Sequence, residues 1–291
     1  MQDLLNRALE QHADQPASAA QTLDEALRGA AGASEADLLE LLRVAEHVLL
    51  GHLADPAALR ALLAQLPPHA GLEPARQRAE AALRLAAGEP PPDWHDLPPA
   101  ERVRAHYNAA LARTRSGDFG AAARLIELAK AQAVAGDAAS QKALAALANN
   151  IAGDLRYYHR GSSAGDSDEA RDELMLDAAR LARERWALAG GWLEIERAEW
   201  QLARCAAAAG QATLALHHAQ ACLRLCEQHG ADAFEHFFAH DAIARAHRAA
   251  TQAGPAAEAR ARMAALLLQV PESDQDYARR ALAELDAALA D

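Results

Sequence analysis

Across residues 191–200, GWLEIERAEW, and the turns that follow, apolar positions recur on a helical period. Advancing about 100° per residue, Ile195, Ala198, Leu202 and Cys205 fall on one stripe. Trp200 lies almost opposite that stripe, among Glu196, Arg197 and Arg204. A large aromatic in the middle of a polar face is the informative position. It has two readings: a second packing face against neighbouring helices, or a surface that meets a partner.

Helical patterning extends over the whole chain, and prolines punctuate it. All twelve lie at or before residue 99, or at 255 and 271, so nothing between 100 and 254 breaks a long helix. Short helices are predicted at about 1–12, 17–30, 34–52, 56–66 and 73–87. Ser34 three residues before Asp37 and Asp55 before Pro56 supply start signals, and Pro67–Pro68 supplies a stop. The segment EPPPDWHDLPPAE (89–101) reads as a linker between an N-terminal helical region, 1–88, and a repeat domain, 102–291.

Beyond that linker, turn signals at Gly117-Asp118, 161–167, Gly210 and Gly254-Pro255 recur at a spacing of about 45 residues. Breaks near Gly136, Gly190-Gly191, Gly230 and Pro271 divide each interval into two helices. Paired helices at such a period are the pattern of an α-solenoid. Three segments carry a closer likeness: YNAALARTRSGDFGAAARLIELAKA, WQLARCAAAAGQATLALHHAQACLRL and DAIARAHRAATQAGPAAEARARMAAL. Ala110 and Ala203 stand seven residues before the turn glycine, where the third segment has His247. Ala122, Ala215 and Ala259 stand five after it, and Ala129, Cys222 and Leu266 twelve after it. Each segment resembles a tetratricopeptide-repeat hairpin, over roughly residues 100–270, with a poor fit at 138–188 and a longer period than the family's. The resemblance implies an all-α superhelix of antiparallel helix pairs, and a scaffold that binds protein or peptide in a concave groove rather than an enzyme.

Composition fits helices: 51% hydrophobic residues but only 4% aromatic, hence mostly Ala and Leu. A net charge of −12 leaves no basic surplus for nucleic acid. No stretch approaches the roughly 20 apolar residues of a membrane span. The start, MQDLLNRALEQHADQ, lacks the basic and apolar regions of a secretory signal, and three cysteines make no disulfide framework, so a cytoplasmic protein is expected.

On the groove reading, Arg197, Trp200 and Arg204 form the centre. Arg104, Asn108 and Arg115 line up on one flanking helix, and Phe237, Asp241 and Arg248 on another. Arg156 and Tyr157 are further contributors from the middle unit. Arginine beside an aromatic on a rigid wall suits an acidic or carboxylate-bearing segment. A homo-oligomer is compatible with this architecture.

A second class of function rests on residues 217–247, which hold six of the thirteen histidines and two cysteines. Cys222 and Cys226 are four apart on one helix, as are His236 and His240 on the next. That spacing can present metal ligands, and sulfur with imidazole favours zinc or Cu(I). The plainer reading makes the cysteines small buried hydrophobes. A redox sensor and a small-molecule sensory repeat are the remaining alternatives. GDFGAAA (117–123) and GGW (190–192) follow no strand and are not phosphate loops, so no cofactor is implied. GSSAGDSD (161–168) reads as a connection with Ser167 as helix cap, and AFEHFFAHD as core or subunit contact.

Overall fold

The computed structural model describes residues 1–12, 15–91, 94, 96–157 and 168–290. The turn at 161–167, with its Ser167 cap, lies outside the described residues. Those described are helical throughout, with no strand. The helices are α1 (Gln2–Gln11), α2 (Pro16–Arg28), α3 (Glu35–Ala45), α4 (Pro56–Gln65), α5 (Glu73–Ala86), α6 (Pro99–Arg115) and α7 (Phe119–Gln132). They continue as α8 (Ala138–Tyr157), α9 (Asp168–Ala189), α10 (Trp192–Ala208), α11 (Ala212–His229), α12 (Ala233–Ala249), α13 (Ala253–Leu267) and α14 (Glu272–Ala290). No helix among the described residues is long and apolar enough to cross a membrane.

The start signals predicted at Ser34 and Asp55 operate, and the turn at Gly117-Asp118 holds a third cap. Ser34 accepts the Asp37 amide, Asp55 accepts those of Ala57 and Ala58, and Asp118 accepts that of Ala121. Gly230 ends α11 in the left-handed conformation (φ 61°) that glycine adopts without steric cost.

The chain divides into two compact units: Met1–Leu147 with His159–Arg171, and Ala148–Tyr158 with Asp172–Asp291. In the first, the predicted helix 34–52 changes character halfway. Its second half, Glu46–His52, is a π-helix, and α2, α3, α4 and α6 all pack on it. Leu5, Leu23, Leu41, Leu42, Leu50, Leu59 and Leu111 are fully buried around this segment's neighbours. The proline-rich stretch 89–101 falls inside this unit, where α5 and α6 on either side of it pack together.

In the second unit each of α10 to α13 packs on the next, α13 packs on α14, and α10 with α12 and α12 with α14 also touch. The core is Phe237, Phe238, Met263, Val270, Ala278 and Leu285. Small residues permit the close approaches: Ala203, Ala215 and Cys222 are fully buried, as are Ala110, Ala122 and Ala129 in the first unit. Gly153 of α8 does the same, since a Cβ there would lie 2.9 Å from the Gln201 amide nitrogen of α10.

Candidate functional site

A cleft of about 480 Å³ opens in the second unit beside Trp200. Glu196, Arg197 and Trp200 line it from α10, Phe234, Glu235 and Phe238 from α12, and Asp274 and Tyr277 from α14. Asn149 of α8 and Asp232, the cap of α12, complete it. Four rings form an aromatic wall: Phe234–Phe238 centroids are 4.8 Å apart, Phe238–Tyr277 5.2 Å, and Trp200–Phe238 meet edge-on at 5.9 Å. Phe234 and Phe238 share one side of α12 because they are four residues apart.

Trp200 answers to both of its readings. It packs against two buried clusters and also lines open space. The guanidinium carbons of Arg156 and Arg204 lie 5.2 and 5.3 Å from its ring centre, within cation–π range. Neither arginine lines the cleft. Arg204 is buried and paired with the fully buried Asp241, which also accepts from Arg245. Burial pushes the Asp241 carboxyl up, but Arg204 and Arg245 outweigh it and hold the group below its usual range. Arg156 keeps Nε and Nη1 buried without partners, and burial, with Arg204 close by, lowers its pKa.

The other sequence-predicted contacts scatter. Phe237 is core, and Asn108 is buried in the first unit, donating to Glu46. Arg104 pairs with Glu101, and Arg115 donates to His52. Arg248 is exposed but lines no part of this cleft. Arg197 does line it, with its guanidinium tied to Glu235. Arg204 and Asp241 were placed on a partner-facing wall by period alone; the packing of α12 on α10 closes that face and turns them into a buried pair.

Sequence reasoning missed Glu196 altogether. It is 1% exposed, yet it reaches the edge of the cleft. Cys222 donates to its Oε1 at 2.8 Å and Cys226 at 3.4 Å, while Oε2 is buried without a partner. Burial, opposed by the Cys222 bond and reinforced by the charge of Glu235, raises its pKa to about 7. The i, i+4 spacing of the cysteines was legible, but their partner on another helix was not.

The predicted ligand set divides as well. Cys222 and Cys226 gather with Glu196, and no group of close-set ligand atoms among the described residues includes His236 or His240. The Cys222 thiol is driven far up by its bond with Cys226 and by burial, and burial raises Cys205 to about 11, so neither is a thiolate at neutral pH. One other group, His12 with His47 and His52 of the first unit, also brings three ligand atoms within 4.8 Å of one another.

No protein-family model and no curated protein matches this chain.

Proposed function

We propose that the chain is a non-enzymatic binding module of tetratricopeptide-like helical pairs, and that its cleft takes an extended protein segment presenting an apolar residue beside a basic one. The contacts of α10 with α12 and of α12 with α14 support the stacked-pair part of this reading, because alternate helices touch when successive pairs stack. The observation that carries the binding part is the cleft's lining: four aromatic rings with Glu196, Asp232, Glu235 and Asp274 around them, and Arg197 as the single cation among the described residues that line it, already tied to Glu235.

That chemistry reverses the expected acidic partner. Arg197 and Arg204 already pair with carboxylates of the chain itself, so a carboxylate ligand would meet guanidinium charge that is largely answered. A lysine or arginine side chain instead finds carboxylates at the rim and π faces for its stem and charge. A preformed wall also lowers the ordering cost of binding.

Matched short peptides, Leu-Lys-Leu-Arg and Leu-Glu-Leu-Asp, titrated against the tryptophan fluorescence of the protein, test this. The basic peptide should quench, the acidic one should not, and the response should disappear in Trp200→Phe. Phe234→Ala should weaken binding about tenfold, the loss of one aromatic contact. Equal responses to both peptides, or quenching that survives Trp200→Phe, would remove the cleft from the account.

A further inference from the structure

The π-helix in the first unit has a consequence for three histidines. In an α-helix, residues five apart point about 140° away from each other. The i→i+5 ladder of Glu46–His52, seen in the bond from Leu53 N–H to the Val48 carbonyl, instead brings His47 and His52 onto one side. Their Nε2 atoms are 3.2 Å apart, and His12, at the end of α1, closes the triangle, with ring centroids 5.0 and 4.9 Å from theirs. Two nitrogens bound at 2.0–2.1 Å to one tetrahedral ion stand roughly 3.4 Å apart, close to this separation.

The outer partners orient the rings. A backbone carbonyl only accepts, so His12 donates from Nδ1 to the Leu9 carbonyl and leaves Nε2 as a lone pair. Arginine only donates, so Arg115 places its N–H on His52 Nδ1 at 2.9 Å and leaves the His52 proton on Nε2. His52 therefore donates to His47 Nε2, and His47 donates from Nδ1 to the Tyr107 hydroxyl at 3.3 Å. Two of the three Nε2 atoms thus carry lone pairs, that of His47 accepting the His52 proton. Asn108, which donates to Glu46, also lies beside His47. A plain packing cluster needs no such alignment, and a π-helix of seven residues is rare enough to require a reason.

We propose that His12, His47 and His52 form a three-imidazole site for a divalent transition metal, with Zn²⁺ as the best fit and a fourth position open to water. The all-nitrogen set disfavours Mg²⁺ and Ca²⁺, which take oxygen. Tyr107 and the Leu9 carbonyl are the outer partners that hold ligating imidazoles in place. His52 joins by moving its proton from Nε2 to Nδ1 while Arg115, exposed at the end of α6, turns off the ring. The ligand stays neutral and no proton leaves the site. Arg115 therefore competes with the metal.

Chelator-treated full-length protein, titrated with Zn²⁺ by calorimetry and with Co²⁺ by visible absorption, tests the site. One equivalent should bind, and the Co²⁺ spectrum should show ligand-field bands without sulfur charge transfer. His12→Ala should weaken Zn²⁺ at least tenfold with unchanged circular dichroism, and the His47→Ala, His52→Ala pair should abolish binding. Tyr107→Phe should weaken it about tenfold. Arg115→Gln should tighten it several-fold, a change of sign that a structural role alone does not produce. Cys222→Ser with Cys226→Ser should bind as the parent does. No binding at tenfold excess of either ion, a spectrum dominated by sulfur charge transfer, or full affinity in His12→Ala overturns the site, even if the double histidine variant fails to fold.

Discussion

Each unit buries one glutamate to 1% exposure, and burial raises the pKa of both, but the partners they are given differ. Glu46 of the first unit receives Arg78 Nε on both oxygens, at 3.1 and 2.9 Å, and the Asn108 amide at 3.0 Å. Arg78 also reaches Glu101, and the two carboxylates raise its own pKa against the opposing effect of burial. Glu196 of the second unit has two thiols on one oxygen, nothing on the other, and no cation bonded to it. The first arrangement ties helices together through an ion pair, with Arg78 Nη2 left buried without a partner. The second keeps a carboxyl group poised between protonation states at the edge of a cleft, which is where a group with work to do outside the fold is expected.

The largest effect that would break this contrast is at Arg78. Arg78→Ala leaves Glu46 buried with only Asn108, and should cost about 3–5 kcal/mol, read as a lower urea midpoint by circular dichroism. A loss under 1 kcal/mol would mean that Glu46 is not held as an ion, and the two glutamates would no longer differ in kind.

Glu196 comes next, with a sign that depends on pH. Burial holds its folded carboxyl near 7, while an unfolded glutamate ionises near 4.5. Between these values the unfolded chain releases a proton that the fold retains. Stability therefore falls as pH rises through this window, by a total on the order of 3 kcal/mol above about pH 8. Glu196→Gln keeps an acceptor for the thiols and removes the titration. It should stabilise the protein above pH 8, be nearly neutral at pH 4.5, and flatten the pH profile between. A stability profile identical to the parent's would mean that Glu196 does not titrate in this window.

Asp232 gives the smallest effect and sharpens the comparison from the exposed side. It lines the same cleft but is answered by the amides of Phe234 and Glu235. Asp232→Ala should cost about 1 kcal/mol as an ordinary lost cap, read as a lower urea midpoint. A cost near zero would mean that those amides do not hold it, and Asp232 would no longer contrast with Glu196.

Sequence alone determined whatever depends on residues within about four positions of one another. Ser34 and Asp55 start their helices as expected, the break near Gly230 ends one, and the small residues around each turn glycine are buried. Of the stripe Ile195, Ala198, Leu202 and Cys205, the last three are buried as the period requires and Ile195 is half-buried. Only the tertiary structure decided what meets the other face of a helix. Packing of α12 on α10 turned Arg204 and Asp241 inward as a pair and left Phe234 and Phe238 lining a cleft, while packing of α11 on α10 set Glu196 against two cysteines. The π-helix did the same in the first unit, bringing His47 and His52 beside a histidine from α1. The reason is physical: caps and periodicity are fixed by local hydrogen bonds and side-chain direction, whereas burial and ligand geometry depend on helices far apart in the chain choosing which faces to share.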